Sequence, residues 1–124
     1  ARLGGRLDIA IKELQRVQEL YRDYQRTAPN VARVLTRSHF HLGQAYESQQ
    51  KFDLAAREYR QALVLPNRED FRLILLSEWS RYLRESIQNG RPIAGVESPE
   101  QELQDTLKEL ATLQPGGQTA VTST

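Results

Sequence analysis

His41 to Leu63, HLGQAYESQQKFDLAAREYRQAL, is the stretch whose reading decides this fold. Apolar side chains recur every three or four residues on both sides of QQK at 49–51, which predicts two amphipathic helices joined by a tight turn. Gly43, Ala55 and Ala62 nevertheless stand where such helices ordinarily carry leucine. Why these positions are small is the question the rest of the chain has to answer.

Working outward, the same spacing predicts helices throughout. Leu7, Ala10, Ile11, Leu14, Val17, Leu20, Tyr21 and Tyr24 form one stripe over about 7–27. TAPN at 27–30 interrupts it, since Pro29 moves Ala28 out of the helical region and suits the first position of a second helix that runs to about Ser48. A third helix starts at Phe52 and stops at Pro66, and a fourth covers about 69–88 with Phe71, Leu73 to Leu76, Trp79, Tyr82, Leu83 and Ile87. Asn89-Gly90 follows a helical segment and reads as a helix stop, not as a hairpin turn. After the loop NGRPIAGVES, Ser98-Pro99-Glu100-Gln101 combines an N-cap serine, a proline at the first position and a capping-box glutamine. The helix it starts is expected to bury Leu103, Leu107, Leu110 and Leu113, and the polar PGGQTAVTST is expected to be a disordered tail over 115–124. The fold class is therefore all-α, and at 124 residues one domain is the expectation.

An internal repeat is visible. GRLDIAIKELQRV from Gly5 aligns with QKFDLAAREYRQA from Gln50, placing Asp8 on Asp53, Ala10 on Ala55, Leu14 on Tyr59 and Val17 on Ala62. Together with Leu42-Gly43-x-x-Tyr46, Ala55, Tyr59, Ala62 and Pro66, the chain resembles the tetratricopeptide repeat family, whose helix-turn-helix unit has a period of about 34 residues. His39 takes the signature's first slot in place of Trp, and the proline falls one residue early. The resemblance implies that the paired helices cross closely at Gly43 and Ala55, and that Ala62 leaves room for the next unit. It implies stacked helical hairpins over 1–114: the second half of a unit at 5–27, a full unit at about 30–67, and a degenerate unit with a C-terminal capping helix at 69–114. The two aligned segments lie 45 residues apart. The excess over the family period is about three helical turns, so a protruding pair is expected, elongated by about 8 Å in each helix over 22–27 and 30–35.

Composition narrows the chemistry. Without cysteine there is no disulfide, thiolate site or cysteine nucleophile. No apolar run reaches the length of a membrane span, so no membrane insertion is expected. The chain opens ARLGGRLD without an initiator methionine and reads as a piece of a longer protein, from which a targeting segment would be missing; a soluble, cytoplasmic piece is the expectation. His39 and His41, two apart on a helix, point about 200° from each other and cannot chelate one metal ion together. No glycine-rich phosphate loop, G-x-S-x-G or H-E-x-x-H is present, so neither a cofactor nor an enzyme is expected.

A protein or peptide partner is then the expected ligand. By the resemblance, Arg37, Phe40, His41, Gln44, Glu47 and Ser48 line the inner groove of the central unit, and the next helix adds Phe71, Ile74, Glu78 and Tyr82. Phe40, Phe71 and Ile74 are each more often simply core residues, and that reading competes with the groove. Phe40 and Gln44 stand where some family members hold a C-terminal carboxylate with Lys and Asn, so an apolar or helical ligand is expected instead. Residues 1–91 hold 16 Lys plus Arg against 11 acids, while 92–124 hold one Lys against five acids. Arg22, Arg26, Arg33 and Arg37 would form a basic surface of two i, i+4 pairs, and with five tyrosines this keeps RNA as the rival partner. Self-association is a further expectation, through Ile9, Leu14 and their neighbours if nothing else covers the first helix.

Overall fold

The computed structural model describes residues 3–113, with side chains from Gly5 onward; the tail expected at 115–124 lies outside the described residues. Among the described residues there are five helices and no strand: α1 (Leu3–Leu20), α2 (Pro29–Ser48), α3 (Phe52–Val64), α4 (Glu69–Gln88) and α5 (Pro99–Leu113). The chain divides into two compact units, Ala1–Arg68 and Glu69–Thr124. The division falls just after the LPN segment, where Leu65 is extended and Pro66 forbids the helix to continue.

In the first unit α2 packs against both α1 and α3. Ala28 is extended, as a residue before proline must be, and Pro29 opens α2. At the other end Gln50 adopts φ of +61°, and the amides of Gln50 and Lys51 bond the carbonyls of Glu47 and Tyr46 at 2.9 Å each. That is a Schellman closure with glutamine in the place glycine usually takes. The hairpin it creates buries Leu42, Tyr46, Ala55, Ala56, Tyr59 and Ala62. Gly43 lies so close to Tyr59 that an added Cβ would meet ring carbons Cδ1 and Cε1 at 2.7 Å. Here the small residue admits an aromatic ring from the facing helix.

Two expectations about the first unit need correction. The first helix ends at Leu20, not near Thr27, and beyond it the chain closes turns such as Tyr24 N to Tyr21 O at 3.1 Å. Tyr21 and Ala28 are drawn onto the apolar cluster of Val31, Leu35 and Leu65, which a straight continuation of the helix would not allow. No elongated first helix therefore protrudes, and residues 31–35 of α2 are partly a packed surface. Asp8 is also not at a helix start. It lies in the second turn of α1, where its Oδ1 accepts from Gln49 Nε2 at 3.0 Å, whereas Asp53 does occupy the first turn of α3.

In the second unit α4 packs on α5. Asn89-Gly90 is a helix stop: Gly90 has φ of +62° and Arg91 N bonds Ser86 O at 2.8 Å. Ser98 Oγ accepts from Gln101 N at 3.2 Å, while the Gln101 side chain donates to Asp105 at 3.0 Å instead of closing the box. Trp79 is buried, stacks on Tyr82 with centroids 5.6 Å apart, and donates from Nε1 to Glu102 Oε2 at 3.1 Å. Arg72 pairs with Glu109 at 2.6 and 3.2 Å, tying the same two helices further along. Of the four leucines assigned to the core of α5, Leu107 is exposed and the others are half-buried; Thr106 is the buried side chain.

Candidate functional site

On α2 the spacing places Arg33, Arg37, His41, Gln44 and Ser48 along one stripe. All are exposed except Gln44, which is half-buried, and His41 Nδ1 lies 3.2 Å from Gln44 Oε1. Phe40 and Glu47 belong to the flank facing α3. Phe40 is 5% exposed with its ring centroid 6.2 Å from that of Tyr59, and Glu47 accepts from the Tyr59 hydroxyl at 2.8 Å. Phe40 is thus packed into the hairpin and does not offer its ring as a surface, which corrects its place in the expected groove.

On α4, Ile74 is 54% exposed and Phe71 is half-buried. Glu78 bonds Arg81 at 2.6 Å, and Arg81 also bonds Glu85 at 3.0 Å. Tyr82 is buried beneath Arg91, whose guanidinium carbon lies 5.9 Å from the ring centroid, so it too is a core residue.

The basic surface does not form as two helical pairs. Arg22 and Arg26 lie in the turns after α1, and only Arg33 and Arg37 share a helix. Arg26 is directed at His39, its Nη2 being 3.1 Å from the ring's Nε2.

That contact opens onto a polar cluster the sequence reading did not assemble. His39 is 2% exposed and Glu58 7% exposed, and His39 Nδ1 lies 2.8 Å from Glu58 Oε1. Ser38 Oγ donates to Leu14 O at 3.0 Å and accepts from Gln18 Nε2 at 3.3 Å, with that amide nitrogen 3.1 Å from His39 Nδ1. A guanidinium can only donate, so His39 Nε2 must offer its lone pair to Arg26. The ring of a neutral imidazole then carries its proton on Nδ1 and donates it to Glu58. Helical periodicity did carry a signal, because His39 shares a stripe with Leu35, Leu42 and Tyr46, and Glu58 one with Ala55 and Ala62. A polar residue on a buried stripe demands a partner.

The cluster resembles a base held by a carboxylate, yet it lacks what acyl transfer needs. Ser38 gives its hydrogen to a backbone carbonyl and not to the imidazole, and both side chains are buried from any substrate. Among the described residues no three of His, Asp and Glu gather as a metal-holding group, and no helix is long and apolar enough to cross a membrane. Compared with protein-family models, curated proteins and solved structures, the chain matches none.

Proposed function

We propose that this chain is a non-catalytic protein–protein interaction scaffold of tetratricopeptide type, in which α2 and α3 are the central unit, α4 a degenerate one and α5 a cap. The observation carrying this reading is Gly43 seated on the ring of Tyr59. Two residues on repeat-signature positions, 16 positions apart, are in contact, which supports the reading although the resemblance paired Gly43 with Ala55; Leu42, Tyr46, Ala55 and Ala62 around them are all buried. A hairpin of this kind cannot bury both faces by itself and leaves the inner-groove stripe of its first helix to a neighbour or a ligand. Arg37, His41, Gln44 and Ser48 on that stripe are the positions assigned to a protein or peptide partner.

RNA is less well supported. Tyr46, Tyr59 and Tyr82 are buried and cannot stack on bases, and Arg26 is engaged with His39. The test is affinity capture from cell extract at about 50 and 200 mM salt, with and without nuclease, because phosphate-driven binding falls steeply over that range. A protein retained through both treatments, and lost from the His41→Glu variant, is the expected result. Capture of salt-labile, nuclease-sensitive material alone would refute the scaffold and favour RNA.

A further inference from the structure

Beyond the backbone bonds at its two ends, such as Tyr21 N to Val17 O and Ala32 N to Ala28 O, the connection over 21–28 is anchored to the rest of its unit by two kinds of side-chain contact. Tyr21 and Ala28 pack on Val31, Leu35 and Leu65. Arg26 reaches over the buried ring of His39, and this second anchor depends on one lone pair. We infer that residues 21–28 are an acid-sensitive strap: protonating His39 makes Nε2 a donor, expels Arg26, and leaves the imidazolium paired with Glu58 so that the α2–α3 hairpin stays closed.

The electrostatics around the ring make the two anchors unequal. Arg26, from the strap, and Glu58, from α3, are the charged groups on the imidazole among the contacts described. From α1 comes the neutral Gln18 amide, 3.1 Å from Nδ1, and α2 itself places no charge one turn away, where Leu35, Thr36, Leu42 and Gly43 stand. A proton arriving on Nε2 sets two cations at hydrogen-bond distance, which repel, while the bond from Nδ1 to Glu58 becomes a charge-assisted pair. The proton therefore strengthens the hairpin and releases the strap. With Arg26 gone, the packing of Tyr21 and Ala28 and the backbone bonds at the two ends of the segment are what hold it, and its opening uncovers the apolar patch of Val31, Leu35 and Leu65. Acid thus converts a covered end of the hairpin into an apolar surface, whatever partner the α2 stripe takes.

The test follows imidazole nitrogen resonances and amide exchange of the whole chain as the pH is lowered from neutral until the His39 ring is seen to charge. At the neutral end Nε2 should be unprotonated. As His39 charges, exchange over 21–28, corrected for its intrinsic pH dependence, should rise about tenfold or more relative to α3. His39→Gln offers an amide oxygen to Arg26 and an N–H to Glu58, and should keep the strap shut throughout. Arg26→Ala should leave it open at every pH in a folded chain, and carries the test if the glutamine variant does not fold. A proton on Nε2 at neutral pH, protection of 21–28 that persists after His39 charges, loss of α3 protection together with the strap, or low exchange in Arg26→Ala would each overturn the inference.

Discussion

Replacing Gly43 by alanine adds one methyl group where the facing helix has left no room. Its Cβ would meet Tyr59 Cδ1 and Cε1 at 2.7 Å and Cζ at 3.0 Å. The nearest pair is about 1 Å inside the preferred carbon–carbon separation. The ring cannot swing aside, because Tyr59 is fully buried, packs against Phe40 and is held at its far end by the 2.8 Å bond to Glu47. Overpacking of this sort costs about 2–3 kcal/mol. Against it stands the gain of about 1 kcal/mol for exchanging glycine for alanine inside a helix. The net expectation is a loss of about 1–2 kcal/mol, read as a lower urea midpoint with unchanged slope in circular dichroism. Tryptophan fluorescence is the wrong probe, since Trp79 belongs to the other unit. A double-mutant cycle isolates the cause: in a Tyr59→Leu background the ring is absent, and Gly43→Ala should become stabilising by about 1 kcal/mol. An alanine that stabilises the parent chain, or that costs the same in both backgrounds, would refute the claim that the ring dictates glycine here.

Two further substitutions test the local devices. Gln50 holds φ of +61° without being glycine, so Gln50→Gly should stabilise the first unit by about 1 kcal/mol, measurable as a raised urea midpoint. Ser98→Ala removes the acceptor for Gln101 N and should cost about 1 kcal/mol, with amide exchange accelerating first in the opening turn of α5.

Much of the helix layout was legible because its signals are short-ranged. Pro29 and Pro66 restrict the backbone beside them, Gly90 supplies the left-handed conformation that ends α4, and Ser98 caps α5 within three residues. The repeat spacing around Gly43 likewise singled out the residue that meets Tyr59, although it named Ala55 as the partner in the close crossing. The end of α1 escaped, because Tyr21 and Tyr24 keep the helical spacing while the chain turns to place Tyr21 on Val31, Leu35 and Leu65. Phe40 was read as groove for a similar reason: periodicity gives a stripe its width but not the neighbour that covers its edge.

What the sequence determined by itself, then, is where the chain is helical and where it must break, since those choices are made by bonds and sterics within a few residues. What only tertiary structure decided is how polar residues on buried stripes are answered. Arg26, His39 and Glu58 lie on three different segments, 13 and 19 residues from one to the next. Their hydrogen bonds exist because packing removed the imidazole and the carboxylate from water, and a desolvated group takes whichever partner the fold brings within reach.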